Sequence, residues 1–265
     1  MNKLLLFDLD DTLLRSDKTI SDRTKLSLKK CKDKGYLIGI STSRSEHNCI
    51  PFLKDISPDI LISSGGALIK KDNEYIYKAI FDKEKTNQLI TTAREICGSD
   101  IEITIDTINA HYWNYKIDPN KKDNSWGDCI WSDFNDFSDE ALKICFEIFD
   151  EEKANKLMNI FDDCDSLKFS QGYWYKFTVK GVTKQSALDI ICESCDISVN
   201  DIIAFGDDLA DIGMLKSCGI GVAVANALDE VKEVADIIIA SNDEDGIADY
   251  LDNVILGLDL LLLKQ

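Results

Sequence analysis

The chain has 265 residues, enough for one core domain and a smaller companion. With 45% hydrophobic residues and only three prolines, it can bury a sizeable core and is no linker array. Its formal net charge of −18 sets nucleic acid aside as a partner, since gripping a phosphate backbone takes many Lys and Arg side chains.

In chain order, Lys3 to Phe7 is a short apolar run ending at Asp8, as expected of a parallel strand buried on both faces. The run stops at acidic residues without a small-residue cleavage site, so it is not read as a signal peptide. Ser21 to Lys34 predicts a helix with Ser21 as N-cap and Gly35 just past its end. Tyr36 to Ile40 and Ile60 to Ile62 predict two more buried strands, followed by Ser41-Thr42-Ser43-Arg44 and Ser63-Ser64-Gly65-Gly66.

The middle changes character. Ile101 to Ile105 and Ala110 to Lys116 alternate apolar with polar residues, a hairpin pattern. Leu142 to Ile148 reads as a strand and Glu151 to Asp162 as a helix. Leu167 to Ser170 and Tyr173 to Val179 make a second hairpin across Gln171-Gly172. The four tryptophans, Trp113, Trp126, Trp131 and Trp174, all fall here, and Trp113, Tyr115, Trp126 and Trp131 are expected as core aromatics of a small unit rather than as a protein-interaction patch. After it the first rhythm returns: a helix from Thr183 to Cys195, a strand Ile202 to Phe205, Gly206-Asp207-Asp208, a helix through Leu215, and strands Ile220 to Val224 and Ile237 to Ala240. The fold class expected is therefore α/β, a doubly wound, Rossmann-like parallel sheet over residues 1–80 and 181–265, interrupted by an α+β insert over 81–180.

The nine cysteines are odd in number and show neither a disulfide framework nor a zinc pattern; reduced thiols in a cytoplasmic protein are expected. Leu260 to Leu263 is far short of the roughly 20 apolar residues of a membrane span and reads as the end of a packed helix. No membrane and no protein partner are indicated.

Ligands of an open parallel sheet bind beyond the carboxyl ends of its strands, so polar clusters there carry the chemistry. Asp8 and Asp10, two apart in extended chain, project to one side and need a cation or a shared proton between them. Mg²⁺ suits such oxygen ligands together with phosphate. Thr42 and Ser43 offer hydroxyls and backbone N–H groups to a phosphoryl oxygen. Lys184 can hold an anionic phosphate as a point charge, and Asp207 with Asp211 brings further carboxylates to the same edge. A D-x-D pair, a Ser/Thr cap, a lysine or an acidic helix start is commonplace by itself. All four in this order, each at a strand end, point to a phosphate-handling site.

Together these motifs resemble the haloacid dehalogenase-like superfamily, in particular its Cof-type phosphatases. Leu6-Phe7-Asp8-Leu9-Asp10-Asp11-Thr12-Leu13, Ile40-Ser41-Thr42-Ser43-Arg44, Lys180 to Leu188 and Phe205-Gly206-Asp207-Asp208 to Asp211 are similar to the family's four motifs. Gly221 to Ala227 and Asp245 to Ala248 match its closing segments. The resemblance implies a Mg²⁺-dependent phosphomonoester hydrolase acting on a small phosphorylated metabolite, a sugar phosphate above all, with the insert as its cap. It implies Asp8 as a nucleophile that becomes an aspartyl-phosphate, and Asp10 as acid and base. Thr42 and Lys184 would hold the phosphoryl oxygens, with Ser43, Arg44 and Asn226 on the substrate side. The metal would sit on Asp8, the Asp10 carbonyl and Asp207, supported by Asp211. A phosphomutase and a non-catalytic phosphometabolite-binding protein are the alternatives. Ser43, Gly65 and Ala210 depart from the family's glycine, asparagine and asparagine at those positions.

Overall fold

The computed structural model describes residues 3–116, 128–170 and 172–257. Two sheets organise the chain. The first has eight strands: β1 (Leu4–Phe7), β2 (Leu37–Ser41), β3 (Ile60–Ser63), β4 (Leu68–Lys71) and β5 (Glu74–Lys78) from the first part, and β12 (Ile202–Gly206), β13 (Ile220–Val224) and β14 (Ile237–Ile239) from the last. The second is built from β6 (Glu102–Asp106), β7 (His111–Trp113), β8 (Ile130–Trp131), β9 (Lys143–Glu147), β10 (Cys164–Lys168) and β11 (Trp174–Val179).

The first sheet runs β14-β13-β12-β1-β2-β3-β4-β5. The six strands from β14 to β3 pair in parallel, Leu4 facing both Leu37 and Ile202. The four residues of β1 are fully buried, as a strand covered on both faces must be. Beneath its end, Phe7 stacks on Phe205 with centroids 4.5 Å apart. Chain order turns one way from β1 through β2 to β3 and the other way through β12 to β14. The reversal at β1 makes its carboxyl end the switch point of a doubly wound α/β sheet, where a crevice opens. The edge adds what the sequence did not announce, an antiparallel hairpin of β4 and β5.

Helix α1 (Asp22–Asp33) starts where expected: Ser21 Oγ accepts from Thr24 N at 3.0 Å, and Gly35 takes φ +88° beyond its end. Helix α2 (Glu46–Leu53) follows Arg44 and was not anticipated.

The second sheet runs β10-β11-β9-β6-β7-β8, antiparallel but for β7 with β8. Its strands alternate strictly. Ile103, Ile105, Ile144, Phe146, Tyr175 and Phe177 face one way and form an apolar core with helices α3 (Lys83–Cys97) and α4 (Glu151–Ile160). Thr104, Asp106, Lys143, Cys145, Trp174 and Lys176 occupy the other face, which looks toward the switch point of the first sheet. A small apolar seam of Ala67, Leu68, Ala79, Leu142 and Val182 joins the two layers.

Two expectations change here. Trp131 is not a core aromatic: it is 56% exposed, while Trp113 and Trp174 line the cleft between the sheets. The helix expected from Thr183 starts later, as α5 (Ser186–Cys195), because residues 183–185 turn to place Lys184. Cys192 and Cys195 stand at Cys-x-x-Cys spacing on α5; both are free thiols, and burial pushes each pKa up. Trp126, Gln171 and Leu260 to Leu263 lie outside the described residues. No described helix is long and apolar enough to cross a membrane.

Candidate active site

Asp8 leaves β1 at the switch point, its N–H donating to the Phe205 carbonyl at 2.9 Å. The chain then makes one wide turn, Leu9–Leu13, closed by Leu14 N on the Leu9 carbonyl at 2.8 Å. Asp11 pays for this turn with φ +56°. Asn226 braces the loop from across the sheet, its Nδ2 on the Asp11 carbonyl at 2.7 Å and its Oδ1 accepting from Asn242 N at 3.1 Å.

Three carboxylates meet where β1 and β12 end. Oxygen atoms of Asp8, Asp207 and Asp211 lie within 4.8 Å of one another. Asp211 is wholly buried, its Oδ2 accepting from the N–H groups of Asp207 and Asp208 at 3.1 and 3.2 Å. Gly206 makes the approach possible, since a Cβ there would stand 2.6 Å from that of Asp211. Thr12 Oγ1 donates to Asp207 Oδ1 at 2.5 Å. Lys184 bridges the cluster, donating to Asp8 Oδ1 and, at 2.7 Å, to Asp211 Oδ1.

The electrostatics follow from this crowding. Burial raises the Asp8 pKa well above the carboxylate range; Lys184 pulls against it, and Asp211 and Asp207 add to it. Asp207 is pushed up to about 7 by burial and by Asp211. Burial alone would lower Lys184, but Asp211 and Asp8 overrule it and keep the ammonium charged. Fully ionised, the three carboxylates exceed the one ammonium by two negative charges, which is what burial and crowding oppose. The donors are all hard carboxylate oxygens, so the cluster fits a divalent metal ion.

Asp10 is not part of this cluster through its carboxylate. Arg44 grips it bidentately, Nε to Oδ2 at 2.6 Å and Nη2 to Oδ1 at 2.8 Å, while Lys18 adds a contact at 3.2 Å. Burial would raise Asp10, yet Arg44 and Lys18 outweigh it and hold the carboxyl below its usual range. Of the metal ligands expected from the sequence, Asp10 is thus left only its main-chain carbonyl.

Thr42 is held at the end of β2 by Thr42 N on the Ile62 carbonyl and by Gly65 N on its own carbonyl, at 2.9 and 3.0 Å. Its hydroxyl accepts from Arg44 N at 3.1 Å. Thr42, Ser43, Arg44 and Lys184 line one cleft with Asp8, Asp10, Asp207 and Asp211, a cavity of ≈ 260 Å³. Asn226 does not line it; its amide is spent on bracing the loop.

The far wall comes from the second sheet and went unread in the sequence. Lys143 donates to the Ser43 carbonyl at 2.5 Å and pairs with Asp106 Oδ2 at 2.9 Å. Asp106, wholly buried, also meets Ser64 Oγ at 2.8 Å and His111 Nδ1 at 2.7 Å. Burial would raise the Asp106 carboxyl, but Lys143 and His111 hold it well below the ordinary range. Gly65, one of the departures, has a steric counterpart here: a Cβ on it would sit 3.0 Å from Lys176 Nζ. No local sequence signal marks this wall, because Ser64 meets Asp106 across 42 positions and Ser43 meets Lys143 across 100.

Known proteins now place the chain. Residues 5–251 match the family model described as haloacid dehalogenase-like hydrolase. This chain belongs to the haloacid dehalogenase-like hydrolase family. It is 29% identical over 259 residues to the 5-amino-6-(5-phospho-D-ribitylamino)uracil phosphatase YcsE of Bacillus subtilis (strain 168), covering 96% of each chain. A second such phosphatase of that organism, YitU, is 25% identical, over 94% of this chain and 96% of its own. Among solved structures, a haloacid dehalogenase-like hydrolase from Bacteroides thetaiotaomicron shares the fold at a TM-score of 0.82 and 24% identity, covering 96% of this chain and all of that one. A phosphatase of the superfamily from the same organism, BT1666, is 26% identical with a TM-score of 0.77, covering 96% and 95%. As a member of this family with phosphatase relatives over more than nine-tenths of its length, the chain is a phosphatase.

Proposed function

We propose that this phosphatase is a Mg²⁺-dependent phosphomonoester hydrolase of small phosphorylated metabolites bearing a hydroxylated carbon chain, working through an aspartyl-phosphate on Asp8. The observation that carries the reading is the buried Asp8–Lys184–Asp211–Asp207 cluster at the sheet's switch point, open to one cleft. The relatives YcsE and YitU, named for a phosphorylated ribitylamino substrate, support the hydroxylated chain.

Asp8 Oδ attacks phosphorus, and the P–O bond to the leaving alcohol breaks as the protonated Asp10 carboxyl gives that oxygen its proton. In the second half, water attacks the phosphoryl group, ionised Asp10 takes its proton, and Asp8 is freed with inorganic phosphate. The grip of Arg44 and Lys18 favours this base form and opposes the protonated form that the first half uses. Lys184 keeps Asp8 oriented and, with Thr42, offers donors to the phosphoryl oxygens. Asp8, Asp207, Asp211 and the Asp10 carbonyl would hold Mg²⁺, which supplies neutralisation of the charge on the transferring group. The second sheet serves as the cap over residues 81–180 and closes the cleft from above. The free thiols fit a cytoplasmic setting.

The test is phosphate release from an aryl phosphate. Asp8→Asn should abolish it with the fold intact by circular dichroism, and chelation by EDTA should stop it until Mg²⁺ is restored. Full turnover in Asp8→Asn would refute the covalent route, and undiminished turnover in chelator would refute the metal.

A further inference from the structure

The cleft wall opposite Asp8 has a composition the phosphoryl chemistry does not use. His111, Lys143, Trp113 and Trp174 all face the cavity from the second sheet. His111 is 91% buried by its 9% exposure, and its Nδ1 is committed to ionised Asp106 at 2.7 Å. In the neutral imidazole that contact puts the proton on Nδ1 and makes Nε2 an acceptor, for which the described residues provide no partner. Lys143 spends two of its three N–H donors on Asp106 and the Ser43 carbonyl. Its charge is already balanced by Asp106, so the wall offers hydrogen bonds without asking for a second anion. Trp113 is fixed by its Nε1 donating to Glu102 at 3.1 Å, and its ring stands across that of Trp174, 76° apart in plane with centroids at 6.2 Å. The two ring faces form an apolar corner beside a donor and an acceptor.

A hydroxyl needs both a donor and an acceptor, and the C–H face of a polyol needs an apolar surface. We propose that His111 Nε2 and the Lys143 ammonium form a leaving-group subsite that reads adjacent hydroxyls of a neutral alditol or sugar chain, with Trp113 and Trp174 packing against its carbon skeleton. This rests on the phosphatase reading above and names residues that choose its substrate. A hydroxyl bound by such groups is discriminated strongly, because the analogue lacking it leaves buried polar atoms unpaired.

The experiment compares ribitol 5-phosphate with phenyl phosphate, both with Mg²⁺, in wild type, His111→Leu and Trp174→Leu. In each variant the ratio of kcat/KM for ribitol 5-phosphate to that for phenyl phosphate should fall, by about 10- to 100-fold in His111→Leu. His111→Gln, which restores a polar edge, should recover part of the ratio. Should His111→Leu not fold, by circular dichroism and gel filtration, Trp174→Leu at a half-buried position and the milder His111→Gln carry the same ratio test. An unmoved ratio, with both esters hydrolysed by wild type, would overturn this subsite alone. Release from neither ester by wild type would overturn the phosphatase reading, and the subsite with it.

Discussion

Lys176 is the place where electrostatics and stability can be weighed directly. It lies on the polar face of the second sheet, opposite Cys145 in the register, and is 5% exposed. Its ammonium rests over Gly65, and neither an ion pair nor a hydrogen bond to it exists among the described residues. Burial, then repulsion from Lys143, lowers its pKa from 10.5 to about 8. A base whose proton affinity falls this far on folding costs the native state about 3 kcal/mol while it is charged. The replacement Lys176→Met keeps the unbranched stem and discards the charge, so it should stabilise the protein by about 1–3 kcal/mol at pH 7, the upper figure being the whole electrostatic cost. The dependence on pH has a definite sign. Below pH 8 the lysine is charged in both folded and unfolded chains, and the penalty is whole. Between about 8 and 10.5 the unfolded chain binds more protons than the folded one, so wild-type stability rises relative to the variant. Above that window the two should converge. Urea unfolding of both proteins at pH 7, 9 and 10.5 with a reductant, followed by tryptophan fluorescence, measures the difference. A variant less stable than wild type at pH 7, or a gain independent of pH, would refute the reasoning.

Two further outcomes follow from the same wall and from the loop beneath it. Asp106→Asn removes the counter-charge of buried Lys143 and the anchor of His111 and Ser64, so urea unfolding should show a loss of about 3–5 kcal/mol. Arg44→Lys keeps the charge but loses the two-pronged grip on Asp10 and the stacking of the guanidinium 4.9 Å from the Phe52 ring; phosphate release should fall about 10-fold in kcat with the fold unchanged.

The parallel sheet was legible because each of its inner strands is apolar on both faces and ends at a polar cluster. β1 to Asp8, β2 to Thr42 and β12 to Asp207 each carry that mark in a handful of adjacent residues. The acidic cluster was legible for the same reason: order along the chain and strand ends bring Asp8, Lys184, Asp207 and Asp211 to one edge. Helix α3 had its own signal, Asp82 capping Lys85 N at 2.7 Å and Leu89, Ile90 and Ala93 on one face, but polar residues dominate its first half and mask the stripe. What the polar face of the second sheet does was not legible at all. Alternation in Trp174-Tyr175-Lys176-Phe177 says that one face is polar, and it cannot say whether water or another sheet covers that face. Lys143 meets Ser43 across 100 residues of chain, so only the folded arrangement turns a surface-type lysine into a buried one.

The same arrangement bears on the charge problem that a net charge of −18 poses for an enzyme of anionic esters. Local cations do gather at the cleft: Lys18, Arg44, Lys143 and Lys184 all line it. Each is already engaged by an acid, Lys18 and Arg44 by Asp10, Lys143 by Asp106, and Lys184 by Asp8 and Asp211. Six aspartates, Asp8, Asp10, Asp11, Asp207, Asp208 and Asp211, line the same cavity. The protein groups by themselves therefore leave a phosphate dianion facing an excess of negative charge, at distances where Coulomb repulsion in a partly buried site is worth several kcal/mol, about 4 per pair at 4 Å. A divalent cation on the three clustered carboxylates would cancel that excess. Chelation should accordingly weaken the binding of the phosphoryl group itself, and the loss of turnover in EDTA should appear as a raised KM as well as a lowered kcat.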